Sequence, residues 1–216
     1  MSTSTAVFTG WPADATAFLA ELATDNTAEF WAAQRHRYDV AVRPPTVALA
    51  TALGAEFGAV RVFRPYRDRR FRPDAPPYRT DTGGAHATAG GTDLGFVLAP
   101  GGLTVTVGRY ALAGPALRRY RDAVVGEPGA QLVSALAEAA AAGLELEPTA
   151  PVRPRGYPAE HPRSGLLCRR AVQVGSTWPA GPWLGTHEPL GRIAGAWRAA
   201  APLVAWLDTH AGSTDR

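Results

Sequence analysis

Residues 91–110, GTDLGFVLAPGGLTVTVGRY, read as two strands at 94–99 and 103–107 joined by the turn residues Pro100, Gly101 and Gly102. Leu94, Phe96 and Leu98 alternate with Gly95, Val97 and Ala99. Both faces of the first strand are therefore apolar or small, the pattern of a sheet covered on both sides. Upstream, AVRVF at 59–63 also has period two, with Val60 and Val62 on one face and Arg61 and Phe63 on the other. Downstream, RRAVQV at 169–174 is the last strand candidate, and 144–146 supplies at most a short one.

Helical spacing lies on either side of this strand cluster. Ala15, Phe18, Leu19 and Leu22 repeat at i, i+3, i+4 and i+7 behind Pro12. Asn26 with Glu29 has the spacing of a capping box, opening a second helix that ends at Pro44, and a third runs over 45–57 with Gly58 as its cap. Prolines open two more at 115–125 and 128–142, a short helix fits 161–167, and a last one spans 189–210 with Pro202 as a kink or restart. Helices grouped before and after strands, with a hairpin between, predict an α+β fold: a mainly antiparallel sheet packed with about six helices. The length of 216 residues suits a single domain over 1–216, in which residues 65–93 form a long functional or mobile loop.

Composition narrows the chemistry. All 22 basic residues are arginine, a bias that reads as coding pressure in a GC-rich genome. Without lysine, Schiff-base catalysis and a phosphate-loop lysine are excluded. The single cysteine, Cys168, excludes an internal disulfide and any CxxC pair. The start MSTSTAVFTGWP lacks the basic and apolar segments of a secretory signal, and no long uncharged apolar run predicts a membrane span, so a cytoplasmic protein is expected. His36, His86, His161, His187 and His210 show no metal-ligand spacing, and no glycine motif for a dinucleotide is present, so neither metal nor cofactor is expected.

The charge is local. Residues 61–79, RVFRPYRDRRFRPDAPPYR, hold seven arginines and two aspartates, a net +5, against +3 for the whole chain. Carrying the strand alternation onward puts Arg64 in line with Val60 and Val62, Arg109 with Val105 and Val107, and Arg170 with Val172 and Val174. An antiparallel arrangement brings these three to one sheet edge, from which the long loop leaves. Inward guanidinium groups need partners, because an unpaired buried charge costs several kcal/mol. Two readings stay open: an internal network with Asp68, Asp74, Asp81 or Glu160 that pins the loop, or a pocket for an anionic ligand. Tyr66, Tyr78 and Tyr110 offer hydroxyls or stacking faces, or else half-buried packing. His161, beside Glu160 and Arg163, is either a helix-start cap or a site residue, and Cys168 reads as a small buried residue.

At RVFRPYRDRRFRPDAPPYRT the chain resembles the bacterial and fungal domain of unknown function 2461 family. The resemblance extends to FLAELATDN, FWAAQRHRYDVAVRPP, the hairpin with its APGGL turn, PRGYPAEHP, LLCRR and the terminal APLVAWL. It implies a shared α+β domain, and since the family name carries no activity it implies no catalytic residue. Arg61, Val62, Phe63, Arg64, Arg67, Asp68, Arg70, Phe71, Asp74, Pro77, Tyr78 and Arg79 match the family pattern, the last in place of a lysine. Ala75 stands where relatives carry a turn lysine, and Arg72-Pro73 where they carry Ser-Lys.

The leading expectation is a protein that binds a small phosphate- or carboxylate-bearing ligand at the sheet edge. Its candidate contacts are Arg64, Arg67, Asp68, Arg70, Tyr78, Arg79, Arg109, Arg170 and His161. The alternatives are an interaction module, with Trp178 and Trp183 as a docking surface and the arginines as an ion-pair network, and nucleic-acid binding through 61–79, which ranks behind because the rest of the chain is slightly acidic. Catalysis through Asp68 or His161 as acid or base stays open, as does the oligomeric state.

Overall fold

The computed structural model describes residues 7–70 and 74–212. The chain forms α1 (Ala13–Thr24), α2 (Ala28–Arg37), a π-helical turn (Tyr38–Val42) and α3 (Arg43–Phe57). Strands β1 (Arg61–Val62), β2 (Thr82–Ala87), β3 (Asp93–Ala99) and β4 (Gly102–Arg109) follow. Then come α4 (Gly114–Val125), α5 (Pro128–Ala141), β5 (Glu145–Leu146), α6 (Ser164–Leu167), β6 (Val172–Pro179), a 3₁₀ turn (Pro182–Gly185), α7 (Glu188–Ala199) and α8 (Ala201–Ala211). The sheet is antiparallel in the order β1-β2-β3-β4-β6-β5, so the fold is α+β with the 91–110 hairpin at its centre.

The residues fall into two compact units. The first comprises the chain up to His86 with Gly95–Thr104 and Thr177–Ala194; the second comprises Ala87–Leu94, Val105–Ser176 and the chain from Gly195 on. In the first unit, Phe18, Leu19 and Leu22 of α1 are fully buried, and the Phe18 ring meets those of Trp31 and Tyr38 at centroid distances of 6.1 and 6.2 Å. Arg37 lies over the same ring and binds Asp14 and Glu21, tying α2 to α1. Trp11 Nε1 donates to Thr46 Oγ1 at 3.0 Å, which satisfies a ring that is almost wholly buried. In the second unit α4, α5 and α8 pack on one another through Leu117, Tyr120, Val124, Leu132, Leu203 and Leu207.

Three local readings of the sequence change. Asn26 does not cap α2; Thr27 does, its side chain accepting from Phe30 N at 3.2 Å. Pro44 does not stop the second helix either. The π-helical turn at 38–42 carries the chain into α3, where Pro44 and Pro45 occupy the first turn and their missing N–H groups cost no intrahelical bond. The third concerns residues 82–87, read as loop and assigned to β2 by the structure. Gly83 and Gly84 leave no side-chain alternation to read, and they are there because the sheet is close: a Cβ on Gly83 would sit 2.1 Å from Phe96 O.

Candidate functional site

The segment from Arg61 to Asp81 is built as an arm doubled back on itself. After β1, Tyr66 and Tyr78 face each other as an antiparallel bridge. The flanking residues carry the hydrogen bonds, Arg67 N to Pro77 O at 2.9 Å and Arg79 N to Pro65 O at 2.7 Å. Tyr66 and Tyr78 are thus the non-hydrogen-bonded pair, with side chains close and their own N–H and C=O groups turned outward. Asn26, just past α1, meets the outward groups of Tyr78 like a third strand. Its Oδ1 accepts from Tyr78 N at 2.9 Å, and its Nδ2 donates to Tyr78 O and to Leu22 O, both at 3.1 Å. One amide therefore closes the end of α1 and pins the arm.

The rings complete the attachment. Tyr78, 8% exposed, stacks on Trp31 with centroids 4.5 Å apart and planes 10° from parallel. Tyr66 leans on the same pair, 5.9 Å from Trp31 and 5.5 Å from Tyr78. Trp31 Nε1 is buried without a hydrogen-bond partner among the described residues, so packing outweighs one lost hydrogen bond here.

Between the arm and β1 opens a cleft of about 740 Å³ whose charged lining is Arg61, Arg64, Arg67, Asp68 and Arg79. Arg67, Arg70 and Arg79 have partners among the described residues. Arg67 Nε donates to Tyr78 O at 3.1 Å, Arg70 is bidentate to Asp68, and Arg79 binds Asp81 while covering the Phe63 ring at 4.9 Å. Among the described residues, the side chains of Arg61 and Arg64 form neither a hydrogen bond nor an ion pair. Asp68 takes hydrogen bonds from the Arg70 side chain and backbone, which hold its carboxyl below the ordinary carboxylate range. It is thus a weak base at neutral pH, a poor choice for proton abstraction.

The other candidate residues fall elsewhere. The alternation that sent Arg64 and Arg170 inward does not reach them: β1 ends at Val62, β6 begins at Val172, and both arginines are exposed. Arg109, half-buried in the second unit, donates to Gly90 O at 2.6 Å and so serves the turn before β3. His161 Nδ1 accepts from Arg163 N at 3.1 Å at the approach to α6 and does not line the cleft. Arg70 and Tyr78 support the cleft from outside its lining. Trp178 and Trp183 share Arg192, whose guanidinium lies 4.4 Å from the Trp183 ring centre. Phe71, Arg72 and Pro73, and the first six residues, lie outside the described residues. Sequence reasoning passed over Arg61, Asn26 and Trp31; Arg61 was legible as the outward side of the Val60 and Val62 alternation. Among the described residues no three His, Cys, Asp or Glu side chains gather as a metal site, and no helix is long and apolar enough to cross a membrane.

The model of the conserved hypothetical protein family DUF2461 matches residues 14–206. The chain belongs to the DUF2461 family. No curated protein and no solved structure matches it. The DUF2461 match covers α1 from Asp14, the arm with its arginine cleft, the hairpin and the first half of α8.

Proposed function

We propose that the cleft between β1 and the arm binds a small phosphate- or carboxylate-bearing ligand, with Arg61 and Arg64 as its principal contacts and Arg67 beside them. The observation that carries this is the pair of guanidinium groups without a partner among the described residues, in a cleft where Asp68 and Arg79 are already in ion pairs. A guanidinium presents a planar fork that suits carboxylate and phosphate, and at the dielectric of a protein surface one charge pair at 4 Å is worth about 4 kcal/mol before desolvation. The ion-pair network and the pocket are then not rivals. Arg67 and Arg79 reach across the arm, to Tyr78 O and the Phe63 ring, and the arm presents Arg61 and Arg64.

The test is a thermal-shift panel of inorganic phosphate, pyrophosphate, citrate and phosphorylated metabolites at low salt, on wild type and on an Arg61→Ala/Arg64→Ala double variant. A ligand at 100 times its dissociation constant adds about 2.7 kcal/mol, or roughly 5–10 °C for a chain of this size. The shift is expected in wild type and lost in the variant. No shift with any anion, or an equal shift in both proteins, defeats the proposal.

A further inference from the structure

The cleft is not lined by charge alone. Tyr66 lines it and is 53% exposed, although its ring is held by Trp31 and Tyr78. A lone exposed tyrosine on a protein surface is ordinary. This one differs in its setting. Its position is fixed by two packed rings, it borders Arg61, Arg64 and Arg67, and no hydrogen bond of its hydroxyl to a described residue accounts for it. The other exposed tyrosine, Tyr110, has its hydroxyl 3.2 Å from Thr106 Oγ1. The second aromatic ring of the cleft, Phe63, is already covered by Arg79. Among the described residues the lining therefore offers one open aromatic surface beside a cluster of anion donors, in a volume within the range of small-ligand pockets.

Resting on the anion reading above, we infer that the ligand joins a phosphate to a planar aromatic ring, the chemistry of a nucleotide, with the phosphate on Arg61 and Arg64 and the base against Tyr66. A π-face paired with cationic side chains is how bases are held without readout of their edges. The cleft's one acidic side chain, Asp68, is turned to Arg70, so it does not oppose the phosphate as a free charge. The same chemistry reaches the cleft from two sources, a free nucleotide or one residue of a single strand.

The experiment is isothermal titration of the full chain at low salt with adenosine 5′-monophosphate, ribose 5-phosphate and a short single-stranded oligoadenylate. Wild type is expected to bind the nucleotide at least about fivefold more tightly than ribose 5-phosphate, since stacking on one aromatic ring is worth about five- to 150-fold. Tyr66→Leu, which keeps apolar bulk against Trp31 but removes the π-face, should erase that difference, while Tyr66→Phe keeps it. An oligoadenylate bound more tightly than the monomer assigns the source to a strand; equal or weaker binding assigns it to the free nucleotide. Equal affinity of wild type for nucleotide and ribose 5-phosphate overturns the base contact and leaves the anion site standing. Binding of none of the three, with inorganic phosphate and pyrophosphate also silent, overturns both.

Discussion

Replacing Asn26 with alanine should release the arm that carries the cleft. Tyr78 is nearly buried, and its N–H has Asn26 Oδ1 as its partner, because the pairing with Tyr66 turns that group away from the opposing strand. Orphaning it costs about 1–3 kcal/mol, and losing the amide cap on Leu22 O about 0.5–1.5 more. Tyr78 O keeps Arg67 Nε, so the acceptor side is only partly lost. The sum is about 1.5–4.5 kcal/mol, a fall in Tm of roughly 3–18 °C at 2–4 °C per kcal/mol. Calorimetry measures the total, and hydrogen exchange at the amides of Arg67, Tyr78 and Arg79 locates it. A double-mutant cycle with Arg67→Ala adds a sharper test, since removing both donors leaves Tyr78 O without a side-chain partner and should give a coupling of about 1 kcal/mol. Loss of less than about 0.5 kcal/mol, with protection of those three amides unchanged, would refute the reasoning.

Three further outcomes follow from the same structure. Hydrogen bonds from Arg37 lower the Asp14 and Glu21 carboxyl pKa values and raise that of the guanidinium. Depressed carboxylates stabilise the fold above their unfolded values and lose that contribution as pH falls through the folded ones, so the Tm gap between wild type and Arg37→Met should be level above about pH 5 and shrink below about pH 4. Asp208 accepts from Thr88 Oγ1 at 2.8 Å and Thr92 Oγ1 at 2.6 Å, so Asp208→Ala should cost about 2–3 kcal/mol by chemical denaturation, with Asp208→Asn milder. Gly83→Ala would press a methyl into the Phe96 carbonyl and should cost about 3 kcal/mol, whereas Gly101→Ala, with open space around it, should stay within about 0.5.

The elements whose side chains alternate or repeat were legible in the sequence. The hairpin and α1 stand where the apolar periods put them, α4 and α5 where their opening prolines put them, and Pro202 opens α8 as a restart after α7. Proline was the less certain guide at Pro44, where a wide turn absorbs what a regular helix could not. β2 was hidden because its pairing depends on glycines, which carry no pattern. The site was half legible. The density of arginine at 61–79 pointed to the segment that lines the candidate cleft, but extending strand alternation past the last ladder residue misdirected Arg64 and Arg170, and nothing local could have signalled that Asn26, 52 residues earlier, holds Tyr78. Which arginines are structural and which are open follows from partners far apart in the chain, such as Tyr78 O for Arg67 and Gly90 O for Arg109.

The proposed anion site is tested most directly by the side-chain Nε–H resonances of the arginines during a phosphate titration. Arg61, Arg64 and Arg67 should shift together and saturate along one binding curve, while Arg37, held by Asp14 and Glu21, stays in place. Small unsaturating shifts spread over all exposed arginines, with Arg61 and Arg64 no different from the rest, would contradict it.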